Sequence, residues 1–144
     1  MIESDTIKLL RECDSGIKMG VSAIQDVIDY VKDEEFKQKL DACKDGHEYL
    51  KQEIQQLLDK YHDKGKNPAM MSKSMSWLKT NMKLMMKESD ETIADLLTDG
   101  CNMGTKFLHK YLNQYKAADE ISKSIAKRLI DLEEELIQDM RCFL

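Results

Sequence analysis

The chain has 144 residues, a formal net charge of −5 and a single proline, and 34% of its residues are charged. This length suits one domain with a substantial core, and the scarcity of aromatic residues beside many Leu, Met, Lys and Glu favours an all-α fold. No apolar run reaches the ~18 residues that a membrane-spanning helix needs, no signal-peptide core follows the N-terminus, and the four scattered cysteines form no CxxC pair, so we expect a reduced, cytoplasmic setting.

The first half of the chain is predicted to form two long helices. Apolar residues recur at helical spacing over residues 6–32 and predict helix 1. Helix 2 is predicted to start near Asp33 or Glu34 and to extend to about Tyr61. The only clear helix-breaking cluster follows at residues 63–68, which read DKGKNP.

The second half repeats this plan after a long link. A short helix is predicted at about residues 70–87. Helix 3 is predicted to begin after a cap at Ser89 or Asp90, and helix 4 is predicted to cover residues 117–142. We therefore predict one domain over residues 1–144, made of hairpin 1 at about 6–63, a crossover at 64–88 and hairpin 2 at about 89–142.

Two short glycine motifs indicate that the hairpins are duplicated. Gly16-Ile17-Lys18-Met19-Gly20 resembles Gly100-Cys101-Asn102-Met103-Gly104, which lies 84 residues later in the other hairpin. Glycine inside a helix costs roughly 1 kcal/mol relative to alanine. We therefore expect Gly16, Gly20, Gly100 and Gly104 to let helices 1 and 3 pack backbone to backbone. Short joins within each hairpin and a long link between them are typical of a ferritin-like bundle.

Three segments carry a resemblance to a known family. They are the Ser15–Lys18 run, the tryptophan-bearing segment Met75–Lys79 in the crossover, and the Leu97–Gly100 run. The chain resembles a bacterial family of uncharacterised ferritin-like four-helix proteins over nearly its whole length. The resemblance implies a ferritin-like fold and leaves the activity open.

The ordinary di-iron centre of ferritin-like bundles does not fit this sequence. Such a centre takes a Glu from each of two helices and a Glu-x-x-His pair from each of the other two. None of the three histidines has a glutamate three positions earlier, because those positions hold Lys44, Asp59 and Lys106. The resemblance places the central carboxylates of helices 1 and 3 near Lys18 and Asn102, which are not anionic. We expect no cofactor of this kind.

An atypical metal site is the alternative. Cys43 and His47 are four residues apart on the apolar face of helix 2, and thiolate with imidazole suits zinc. Cys13 or Cys101 could add a ligand from a neighbouring helix, and Glu133 is the acid nearest the core edge of helix 4. Zinc or iron would be the cofactor in this interpretation. The simpler interpretation is that the two cysteines and His47 are core residues, since free cysteine is among the most buried residue types.

The crossover is the strongest electrostatic feature. Residues 64–87 contain six lysines and no acid, so the rest of the chain carries a formal charge of −11. Methionines share one face of the predicted helix, and Lys73, Trp77, Lys79 and Lys83 are candidates for binding a protein partner or an anionic surface. The alternative is that the methionines pack on the bundle while the lysines meet its acidic body. Nucleic acid is not expected, because that body is acidic.

No catalytic motif emerges from the sequence. There is no glycine-rich phosphate loop after a strand, and no serine or cysteine has an evident base nearby. The sequence therefore favours a structural or partner-binding bundle without the standard di-iron centre, with self-association as one form of partnership. The alternative is a metal-binding or redox protein with a site around Cys43, His47 and Cys101.

Overall fold

The fold is a bundle of four long α-helices. The computed structural model describes residues 4–68 and 89–144, and these residues contain no β-strand. The all-α prediction is therefore confirmed. The four helices are α1 Ser4–Val27, α2 Glu34–Lys60, α3 Asp90–Gln114 and α4 Glu120–Met140, with single 3-10 turns at Ile28–Tyr30 and Arg141–Phe143.

Side chains cap the starts of α2 and α3, and of these two caps the sequence predicted the one at Ser89. Asp33 accepts a hydrogen bond from the backbone N–H of Phe36, and Ser89 accepts one from Thr92. Each cap satisfies an amide that has no partner within its helix. The helix predicted at residues 70–87 lies outside the described residues.

Two predicted helix ends are wrong by a few residues. Helix 1 was expected to reach Lys32, but α1 ends at Val27 and a 3-10 turn leads into an extended Val31. Helix 4 was expected to start at residue 117, but α4 starts at Glu120 because the Asp119 side chain caps it by accepting from the Ser122 N–H. The five residues before Glu120 form the connection instead.

Contacts between the helix ends give the direction of each helix. The N–H of Asp119, in the connection before α4, donates to Thr6 near the start of α1 at 2.9 Å, and Arg11 pairs with Asp63 after the end of α2. At the opposite end, the N–H of Lys32 donates to Asp90 at the start of α3 at 2.8 Å. Thus α1 and α4 run in one direction while α2 and α3 run in the other.

The helices pack as two hairpins joined face to face. The main contacts are α1 with α2 and α3 with α4, followed by α2 with α4. Helix α1 contacts α4 and α3 to a similar extent, while α2 and α3 share few contacts. Helix α2 ends at one end of the bundle and α3 begins at the other. Residue 68, the last of the first described stretch, and residue 89, the first of the second, therefore lie toward opposite ends of the bundle.

The core consists of two apolar clusters stacked along the bundle. The first, the Phe36 cluster, is near the ends of α1 and α4 and includes Ile24, Val27, Phe36, Leu40, Ile93, Leu97, Leu136 and Met140. The second, the Ile54 cluster, is near the start of α1 and includes Leu9, Leu10, Ile17, Leu50, Ile54, Leu58, Leu108, Ile125 and Leu129. A polar layer lies between them at mid-bundle.

Candidate functional site

The polar layer at mid-bundle receives one residue from each helix. They are Gly20 of α1, His47 of α2, Gly104 of α3 and Glu133 of α4. The His47 side chain is 1% exposed, and its Nε2 lies 3.0 Å from Oε1 of Glu133, which is 12% exposed. An imidazole and a carboxylate from different helices therefore meet in the core.

The hydrogen bonds of His47 define where its protons are. Its Nδ1 lies 2.7 Å from the carbonyl oxygen of Cys43. A carbonyl only accepts, so Nδ1 carries a hydrogen and donates it. The 3.0 Å contact between His47 Nε2 and Glu133 Oε1 also requires a proton between the two atoms, because an unprotonated nitrogen and a carboxylate oxygen would repel each other. The pair therefore shares one proton and is neutral as a whole.

The pKa of His47 reflects this arrangement. Burial alone would lower the pKa, because it disfavours the imidazolium. Hydrogen bonds with Cys43 and Glu133 and the charge of Glu133 act in the opposite direction and prevail, raising the pKa from 6.5 to about 10. The form favoured at neutral pH is accordingly an imidazolium paired with a carboxylate.

The glycines of the repeat make room for side chains and not for a second backbone. A Cβ on Gly20 would lie 3.0 Å from the His47 ring, and one on Gly104 would lie 3.8 Å from the Glu133 carboxylate. A Cβ on Gly16 would meet Leu129 of α4 at 3.9 Å, and one on Gly100 would have no atom of the described chain within 4 Å. The predicted backbone-to-backbone packing of helices 1 and 3 at these glycines is wrong, because the nearest atoms belong to side chains of α2 and α4.

The structure brings Cys43, His47, Cys101 and Glu133 near one another, while Cys13 packs in the Ile54 cluster. Cys43 Sγ lies 3.6 Å from His47 Nδ1, and the Cys101 thiol is close enough to Glu133 to be affected by its charge. Burial, followed by the charge of Glu133, raises the pKa of the Cys101 thiol well above its usual range. A thiol in this state is a poor nucleophile and a poor metal ligand. Within residues 4–68 and 89–144, no three His, Cys, Asp or Glu residues are placed to hold a metal ion.

A second buried carboxylate, Asp14, was missed by the sequence reasoning. It is 0% exposed and accepts from Lys18 Nζ at 2.8 Å and from the Lys66 N–H at 3.0 Å. Its other oxygen has no hydrogen-bond partner among the described residues. A signal was available, because Asp14 interrupts the apolar positions Leu10, Ile17 and Val21 on one face of helix 1.

Asp14 holds the segment that follows α2 against α1. Gly65 has a φ of +77°, and a Cβ there would overlap Oδ2 of Asp14, so the turn requires glycine. Lys66 also pairs with Glu12 at 2.6 Å, and Asn67 accepts from Lys18 at 3.1 Å. Lys18 therefore lies at this anchor and not at the mid-bundle layer, where Gly20 takes the central position on α1.

The remaining candidates, which are Lys73, Trp77, Lys79 and Lys83, lie outside the described residues. None of the helices in the two described stretches of the chain is long and apolar enough to cross a membrane.

Comparison with known proteins gives no relative. No family model matches this chain, and no curated protein or solved structure is significantly similar to it.

Proposed function

We propose that this chain is a ferritin-like bundle with a structural or partner-binding role, and that it lacks the standard di-iron centre. The helix directions support the ferritin-like part, because antiparallel hairpins with α2 parallel to α3 need a link that crosses the length of the bundle. We also propose that the protein is bacterial and cytoplasmic. Its four cysteines are all free, which fits a reducing compartment.

One observation carries the proposal. The mid-bundle layer, where a ferritin-like protein would hold its carboxylate ligands, has glycine on α1 and α3 and a hydrogen-bonded His47–Glu133 pair between α2 and α4. The pair is neutral when it shares a proton, so it needs no metal ion to balance its charge. Such a layer joins α2 to α4 and helps to fix the register of the two hairpins.

A second candidate is a metal-binding or redox protein that takes zinc or iron. What favours it is the convergence of Cys43, His47, Cys101 and Glu133 from three helices. The Nδ1–H of His47 donates to a carbonyl, as the second nitrogen of a metal-bound histidine commonly does. Against it stand the raised pKa of Cys101 and the proton already shared between His47 and Glu133.

Metal analysis separates the two candidates. The chain would be purified without added metal and examined by elemental analysis, beside His47→Ala, Cys43→Ser and the matched control His109→Ala, which changes an exposed histidine. We expect far less than one zinc or iron per chain in every sample. Near-stoichiometric metal that persists in His109→Ala and is lost in His47→Ala and Cys43→Ser would contradict the structural proposal and establish the alternative.

The partner-binding role is proposed for the basic segment of residues 64–87. Its six lysines oppose a body with a charge of −11, and its partner would be a protein or an anionic surface. Changing Lys73, Lys79 and Lys83 to glutamine should reduce capture by anionic liposomes or by a protein partner. Unchanged capture would remove this part of the proposal. Self-association would be measured separately, by sedimentation.

A further inference from the structure

A cleft at the end of the bundle where α1 begins is separate from the mid-bundle layer. It has a volume of about 430 Å³, and its described lining consists of Lys8, Arg11, Glu12, Gly65, Lys66 and Tyr115. Its size falls within the range of small-molecule sites. Three of the lining residues are cations, although the chain as a whole is acidic.

The charges around the cleft are arranged so that donors remain available. Arg11 pairs with Asp63 through Nε and Nη2, and Lys66 pairs with Glu12. These ion pairs hold the two cations in place and use only some of their N–H groups, because a guanidinium has five and an ammonium three. Lys8 has no ion-pair partner among the described residues. Three cations against two carboxylates leave the cleft with one positive charge in excess.

The walls of the cleft are built by fixed elements. Gly65 and Lys66 are held by Asp14, which lies behind them in the core. Tyr115 also lines the cleft, and its ring stacks on Tyr111 with centroids 6.2 Å apart. A site with fixed walls loses less entropy when it binds a ligand than a mobile one does.

We propose that this cleft binds a phosphate group of a small molecule. The uncommitted N–H groups of Lys8, Arg11 and Lys66 suit the several acceptor oxygens of a phosphate, and a guanidinium favours this planar, multidentate contact. The Tyr115 ring provides an apolar wall for whatever carries the phosphate. This role goes beyond the proposed function and does not depend on the His47–Glu133 layer.

The test uses inorganic pyrophosphate as the probe. Binding to the full chain would be measured by calorimetry at low ionic strength, where exposed charges are least screened. We expect Lys8→Gln to weaken binding about tenfold, the effect of losing one charge-assisted contact. Lys127→Gln on α4 removes the same charge from an exposed position that does not line the cleft, so it should bind like the unchanged protein.

Two further readouts locate the site and its chemistry. In ¹⁵N-resolved NMR spectra, pyrophosphate should shift the amide signals of Gly65 and Lys66 and leave that of Gly104 unchanged. Succinate should bind more weakly than pyrophosphate. The proposal is overturned by an absence of binding, by equal weakening in Lys8→Gln and Lys127→Gln, or by equal affinity for succinate.

Discussion

Glu133 at mid-bundle and Asp14 beside the 63–68 turn are both largely buried carboxylates, and each has a glycine against it, but they are neutralised differently. Glu133 faces His47, a titratable group on another helix, at 3.0 Å. Asp14 faces Lys18, one turn away on its own helix, and a backbone N–H of the turn. The first arrangement links two helices through a shared proton, while the second anchors a turn through a lysine of the same helix and a backbone N–H.

The largest expected difference is in the cost of removing each partner. His47→Ala should lower the free energy of unfolding by about 3 kcal/mol, because it leaves Glu133 largely buried without a cation. Lys18→Ala should cost less, about 2 kcal/mol, since the buried Asp14 keeps its hydrogen bond from the Lys66 N–H and water can reach the place of the partly exposed Lys18 side chain. Urea denaturation at pH 7 measures both values.

A double-mutant cycle separates this pairing from the cavity that alanine leaves. The variant Glu133→Ala and the double variant complete the cycle. We expect the sum of the two single-variant losses in unfolding free energy to exceed the loss in the double variant by about 1.5 kcal/mol. Additive losses would mean that His47 and Glu133 fill space independently, and the comparison with Asp14 would fail.

The pH dependence of stability should differ between the two sites. The folded pKa of His47 is raised to about 10 from 6.5, so its stabilising contribution is complete below pH 6.5 and is lost as the pH rises through 10. Between pH 6.5 and 8 the loss should be about 1.5 kcal/mol. The range from pH 6.5 to 8 is chosen because it lies below the ordinary pKa of a thiol. At higher pH a second group would contribute to the change in stability, because burial raises the pKa of the Cys13 thiol to about 12.

Glu133→Gln is the matched control for this titration. In that variant the glutamine amide donates to Nε2 of a neutral His47, so the hydrogen bond remains while the added proton is no longer needed. The decline between pH 6.5 and 8 should nearly vanish in Glu133→Gln and persist in His109→Gln. Equal slopes in the two variants would show that the His47–Glu133 pair does not carry the pH dependence.

The same contrast explains what the sequence could predict. The helices, the cap at Ser89 and the apolar face that holds Cys43 and His47 follow from local spacing, which one helix is enough to define. The meeting of His47 with Glu133 depends on the rotation and register of two helices 86 residues apart, which no local pattern contains. Asp14 was missed because its partner, the turn at Gly65 and Lys66, comes from a distant part of the chain.

The smallest effects concern the glycine repeat, and they should have opposite signs. Gly100 has no described atom near its missing Cβ, so Gly100→Ala should stabilise the protein by about 0.5–1 kcal/mol, the usual gain for glycine to alanine within a helix. Gly20→Ala gains the same propensity but places a Cβ 3.0 Å from the His47 ring. Moving that ring stretches its hydrogen bonds to Cys43 and Glu133, so we expect a net loss of about 1 kcal/mol. Thermal and urea unfolding of the two variants measure these changes. A stabilising Gly20→Ala would mean that the glycine is not needed to accommodate the buried pair.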